Sequence, residues 1–233
     1  MTPSGKTLRV DGQETRARLK EVAQRLFAER GLDGVSVQDI VSAAGQRNNA
    51  SLRYYFGSKQ ALAAELLVDG ARLIDEHRQS MLDRLEAEGQ VTVRSMIEAL
   101  TLPLLALSER TGQATYIRMV ANLQLNQRAF LREALQERWN TGYKRCFAHL
   151  AELLPQVPRP LLEQRFSLAG GIYGNAVWAA WEAAQDVASK HGFKSRLWST
   201  PYAVDNVLDT LQSVLESPPS AATLARLDAG SAS

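Results

Sequence analysis

Between Asn49 and Lys59 this 233-residue chain gathers side chains suited to reading a polyanion: Asn49, Ala50, Ser51, Arg53, Tyr54, Tyr55 and Lys59. Asparagine pairs bidentately with adenine, and arginine with guanine, on the edges exposed in the major groove. Serine and tyrosine hydroxyls, and a lysine at a helix start, reach phosphate oxygens. The surrounding charge fits. No acid occurs between Asp39 and Glu65, and Arg47 adds a cation to that run. Through residue 60, ten Lys/Arg stand against six Asp/Glu, so the head carries +4 and the rest of the chain −2. A basic head on a slightly acidic body points to a polyanion partner at one end, although a solvated surface helix can carry the same residue types.

Other chemistries find little support. The chain has no Gly-x-Ser-x-Gly elbow, no His-Glu-x-x-His pair and no phosphate-cradling Gly-x-x-x-x-Gly-Lys, so an enzyme is not expected. Gly170-Gly171-Ile172-Tyr173-Gly174 echoes a glycine fingerprint but lies in a helical pattern with no preceding strand, where packing explains it better. One cysteine, Cys146, excludes an internal disulfide and a multi-cysteine zinc site. Three scattered histidines (His77, His149, His191) argue against a metal centre, and no cofactor is implied. No apolar run reaches the length of a membrane span, and Met1–Gly12 lacks the apolar core of a signal peptide. A cytoplasmic location is expected.

The elements that must position the basic run read as helices, because apolar residues recur at helical spacing and no stretch alternates with period two. The all-α expectation places helices near 14–30, 36–44, 50–56 and 59–87, then near 91–109, 113–124, 127–154, 159–190 and 201–216. Ser36 with Asp39 approximates a capping box. Gly45 supplies the sharp turn between two short helices, a helix-turn-helix pattern. Asn48 reads as the N-cap of the second of these rather than as a base reader. Pro103 is expected to kink or split its helix. The resulting division is a basic helix-turn-helix head over 1–60, a larger helical domain over 61–216 and a flexible tail over 217–233.

From Thr15 to Leu66 the chain resembles the DNA-binding domain of TetR-type (tetracycline-repressor-like) transcriptional regulators. The stretches that carry the resemblance are Ala23-Gln-Arg-Leu-Phe-Ala-Glu-Arg-Gly31, Val35-Ser-Val-Gln-Asp-Ile-Val-Ser-Ala-Ala-Gly45 and Leu52-Arg-Tyr-Tyr-Phe-Gly-Ser-Lys-Gln-Ala-Leu62. The resemblance implies a three-helix DNA-binding head over 1–60 followed by a larger helical effector-binding and dimerisation domain over 61–216, with Ser36 capping the second helix beside a phosphate. It also implies base contacts from Asn49, Ala50 and Ser51, and a phosphate contact from Lys59. Arg53 holds the position of the family's frequent tyrosine, followed by Tyr54 and Tyr55, and Gly45 to Phe56 is one residue longer than the common spacing. The implied function is a ligand-responsive repressor that binds a pseudo-palindromic operator as a homodimer and is released by a small-molecule effector. The alternative is a helical interaction or scaffold protein without sequence-specific DNA binding, which a salt titration with duplex DNA separates.

In the resembling family the last two long helices pair with their symmetry mates in a four-helix bundle, which here implicates the segments near 159–190 and 201–216. Ordinary intramolecular packing is the competing reading. Candidates for the effector site are His77, Met96, Leu100, Arg118, Met119, Asn122, Trp139, Tyr143, Cys146, Phe147 and Tyr173, which mix aromatic surface with polar tips. Methionines and aromatics at helical spacing also serve as plain core, and Cys146 as a small buried hydrophobe. Arg118 and Asn122, four apart on one face, suit a ligand's acidic or carbonyl group, or solvent. The helix over 59–87, roughly 40 Å long at 1.5 Å per residue, would be the lever by which a ligand shifts the population away from the DNA-binding form.

Overall fold

The computed structural model describes residues 5–111, 115–136, 138–192 and 195–231, and among them every regular element is helical. The head comprises α1 (Gly5–Arg30), α2 (Val37–Ala43) and α3 (Ala50–Phe56). The body begins with α4 (Lys59–Ala87) and continues through α5 (Val93–Thr111), α6 (Tyr116–Asn126), α7 (Arg128–Leu135) and α8 (Thr141–Leu153). It then runs through α9 (Arg159–Phe166), a π-helical stretch (Ser167–Tyr173), α10 (Gly174–His191), α11 (Ala203–Glu216) and α12 (Ala221–Ser231).

Two cores hold these helices. The first joins Leu19, Val22, Leu26 and Phe27 of α1 to Ile40, Leu52 and Leu62, and continues into Leu107, Met119 and Leu123. Head and body therefore share packed surface. The second core gathers Leu82, Met96, Ile97, Cys146, Leu150, Phe166, Trp178 and Leu211 deeper in the body. Along α4 the close approach of α6 needs Gly70, where a Cβ would lie 2.1 Å from the Tyr116 ring. The Tyr116 hydroxyl donates to the Leu67 carbonyl at 2.9 Å, and burial pushes its pKa upward.

Several expectations are corrected. Pro103 does not split α5, which runs unbroken from Val93 to Thr111. Proline removes one donor and crowds the carbonyl four residues back, here Ala99. Arg78 of α4, 6% exposed, meets that carbonyl: Nε donates to Ala99 O at 3.1 Å and Nη2 to Leu100 O at 3.0 Å. The helix expected over 127–154 is two, α7 and α8, because Gln136 (φ 46°) and Trp139 (φ 58°) turn left-handed between them. Asn140 makes no side-chain cap at the start of α8, and Asp75 of α4 serves instead, its Oδ1 accepting from Gly142 N at 2.9 Å. The segment 159–190 is interrupted by the π turn. Residues 217–233, expected to be a flexible tail, contain α12: Ser220 Oγ accepts from Thr223 N, and alanine and leucine then favour a helix.

Candidate nucleic-acid interface

The head is fastened by short-range capping. Ser36 Oγ accepts from Asp39 N at 3.1 Å while Asp39 Oδ2 accepts from Ser36 N at 2.8 Å, the expected reciprocal box. The Ser36 hydroxyl, donating to Asp39 Oδ2 at 2.6 Å, and then the Ser36 N–H hold the Asp39 carboxyl below its ordinary pKa. Gly45 adopts φ 72° in the turn after α2, a conformation that favours glycine. At α3 the N-cap is Asn49 rather than the expected Asn48 and makes no side-chain cap; Asn48 braces the turn before it, its Oδ1 accepting from Ala50 N at 2.9 Å and its backbone carbonyl from Ser51 Oγ at 2.8 Å. Ser58 Oγ accepts from Ala61 N and starts α4.

With these ends satisfied, one face of α3 remains open. Leu52 is buried, whereas Arg47, Asn49, Ala50 and Arg53 are exposed and Tyr54 is 82% exposed. Ser51 is half-buried, with its hydroxyl turned to Asn48. Tyr55 is half-buried too, in edge-to-face contact with Tyr54 at 4.9 Å between centroids. A shallow groove between α2, α3 and α4 brings Asn49 and Arg53 together with Lys59 and Gln60. Sequence reasoning missed Gln60, whose type alone carries no such signal. Lys59 sits differently from the role its position implied: Nζ donates to Leu32 O and Val35 O, both at 2.7 Å, and so ties down the α1–α2 connection.

The acid-free run ends at Glu65, whose charge is fully matched. Arg16 Nη2 donates to both its oxygens at 2.6 Å and Lys20 Nζ donates at 2.8 Å. Burial works to raise the Glu65 pKa, but the hydrogen bonds from Lys20 and Arg16 outweigh it and hold the carboxyl below its usual range. Arg16 also stacks over Phe56, 4.9 Å from the ring centroid. Among the described residues, the face carrying α3 thus presents cations and amides, and the nearest acid along the chain, Glu65, is paired.

The effector candidates divide: Met96, Leu100 and Cys146 share the second core, with Tyr143 and Phe147 packed against it, and the others lie elsewhere. Met96 and Met119 are fully buried and Leu100 nearly so, all as packing. Asn122 Nδ2 donates to Ala28 O of the head at 3.0 Å, and Arg118 pairs with Asp186 while its backbone N–H donates to the buried Glu182. Tyr143 and Phe147 pack on Phe166 at 4.4 and 5.2 Å, and burial pushes the Tyr143 phenol up to about 12. Cys146 is buried, with its thiol pushed up to about 11 by desolvation. His77 lines a shallow surface hollow with Met81 and Leu105, while Trp139 and Tyr173 are exposed elsewhere. Among the described residues no group of three His, Cys, Asp or Glu could hold a metal ion, and no helix is long and apolar enough to cross a membrane.

Residues 19–66 match the family model described as bacterial regulatory proteins, tetR family, and residues 98–197 match that of the tetracyclin repressor-like C-terminal domain. Among solved structures, the chain is similar to a putative TetR-family transcriptional regulator from Mesorhizobium loti. Identity is 17%, coverage 88% of this chain and 95% of that one, and the TM-score 0.50. It also matches the TetR family transcriptional regulator PfmR from Thermus thermophilus, with 16% identity, 87% and 100% coverage and a TM-score of 0.49. No curated protein matches the chain significantly.

Proposed function

The chain belongs to the tetR family of bacterial regulatory proteins, and from that premise we propose that it acts as a homodimeric, ligand-released repressor seating α3 in the major groove of a pseudo-palindromic operator. The observation that carries this reading is the open face of α3, where the side chains of Arg47, Asn49, Arg53 and Tyr54 stand clear of every capping bond and ion pair described above. Arg53 reads guanine, Asn49 reads adenine, and Arg47 and Tyr54 reach phosphates. Two such helices, one per protomer, read two half-sites about one helical turn apart.

The pairing surface is the side of the body where apolar residues remain open. Leu168, Ile172 and Tyr173 on the π turn, Val187 on α10 and Val214 on α11 are each more than a third exposed. Ala176 and Ala180 beside them leave room for close approach of a second helix. The effector acts by preferring a spacing of the heads that does not fit the operator. Its route to the head is the seam where Gln24 donates to Thr115 Oγ1, Asn122 to Ala28 O and Gln127 to Asp33.

The test is selection of duplexes from a random pool, followed by binding titrations at increasing salt. A recovered palindrome, with log affinity falling steeply against log salt, is the expected result. A shallow slope and no enriched sequence would sink the proposal. Ile172→Glu should convert the dimer to monomer in sedimentation and remove cooperative operator binding.

A further inference from the structure

A cavity of about 170 Å³ lies where the head meets the body, walled by α1, α4, α5 and α6. Its floor is apolar: Leu66 and Leu73 of α4, Leu107 of α5 and the Tyr116 ring over Gly70. Its rim is charged, but the charges are matched. Lys20 bridges Glu65 and Asp69, Arg16 pairs with Glu65, and Glu21 pairs with Arg18. Two neighbouring polar groups are engaged as well, Gln24 with Thr115 and the Tyr116 hydroxyl with Leu67 O. Among the described residues a charged ligand head would find no vacant counter-ion here, whereas a neutral apolar body meets the apolar floor directly.

We infer that this cavity, which none of the effector candidates named above lines, is a small-molecule site that takes a neutral, apolar ring of one or two fused cycles. Size supports the assignment, since a cavity of about 150 Å³ has room for benzene. Position gives it consequence. The walls belong partly to α1 of the reading head and partly to α5 and α6 of the body. A seated ring therefore becomes part of the packing between them and favours the head angle seen here over others. Its effect on DNA rests on the regulator reading above; its binding does not.

The experiment uses the full chain with benzene, toluene and indole as probes, benzoate and benzylamine as charged counterparts, and pyrene as an oversized one. Ligand-observed NMR should show saturable binding of the neutral rings with dissociation constants of about a millimolar or below, and intermolecular NOEs from the ring to Tyr116 and Leu73. The charged and oversized probes should not compete. Leu73→Trp, which fills the space, should weaken binding by about tenfold or more. If that variant fails to fold, the NOEs in the parent decide alone. Saturating indole should change operator affinity by about fivefold or more, with duplex changing indole affinity by the same factor. Absence of saturable binding, NOEs elsewhere, or tighter binding of the charged probes overturns the site. Binding at the cavity with operator affinity unmoved overturns its coupling role. A parent that binds no duplex at all without any ring refutes the regulator reading instead.

Discussion

In the reading head and in the middle of the body the same residue types stand in opposite situations. Around α3 the backbone ends are met by side chains close in sequence, Ser36 with Asp39, Asn48 with Ala50 and Ser58 with Ala61. Asn49, Arg53 and Tyr54 are then free to face outward. In the body, Asp75, Arg78, Glu182 and Asn122 meet backbone groups of distant helices, at the α8 start, the Pro103 site of α5, the α6 start and α1. A polar side chain is available for recognition where local caps have already satisfied the chain around it. Where a helix lacks its own cap, or a proline strips a carbonyl of its donor, that side chain becomes structural.

The sharpest way to break this contrast is at Arg78. Arg78→Met leaves the Ala99 carbonyl without a donor and Leu100 O without its second one, and urea unfolding should show a loss of roughly 3–5 kcal/mol, since buried hydrogen bonds to charged groups contribute about 1.5–3 each. Unchanged stability would mean that α5 carries its proline unaided. Lys59→Ala removes two charge-assisted bonds to the α1–α2 connection and should cost about 2–3 kcal/mol of stability, with the salt slope of duplex binding preserved. A slope reduced by about one at unchanged stability would instead place Lys59 on a phosphate.

Arg53→Ala tests the other side of the contrast. Operator affinity should fall by about 1–3 kcal/mol, mostly at one base position per half-site, with the unfolding midpoint unmoved. Asn122→Ala should lower stability by about 1 kcal/mol in urea unfolding and alter head docking, whereas a ligand-orienting asparagine would be lost without any stability change. The smallest effect concerns acid. Asp39 and Glu65 have depressed pKa values, so their contribution is complete above the ordinary carboxylate range and is lost as pH falls through the depressed values. Thermal midpoints should stay level from pH 7 to about 5 and drop below about pH 4.5, less steeply for Glu65→Gln.

The sequence announces the head well because its signals are short-range. Ser36, Gly45, Asn48 and Ser58 mark its helix ends, and each does so through a bond or backbone conformation within a few residues. The open face of α3 follows from the few apolar residues it contains. The body is harder to read because its decisive contacts are far apart in the chain. Nothing near Pro103 reveals that Arg78, twenty-five positions earlier, will mend the helix. Gln136 and Trp139 are not residue types that advertise a left-handed turn. Met96, Met119 and Asn122 look alike as pocket candidates, since periodicity shows that a residue faces inward but not whether it meets a cavity, a core or a neighbouring helix.

The π turn at Ser167–Tyr173 has a consequence for how this chain can change over evolutionary time. Such a turn absorbs one residue more than an α-helix of the same rise, and each residue of α-helix rotates the downstream segment by about 100°. Removing a single residue there would relax the turn into regular α-helix and leave Trp178 and Glu182 in the interior they now occupy, whereas adding or removing one at the start of the regular α10 would turn them out of it. Substitution along the outward-facing positions is cheap by comparison. Descendants of this protein are therefore free to drift in spelling there, and to shed the turn's extra residue, while the regular helix α10 is held to its length.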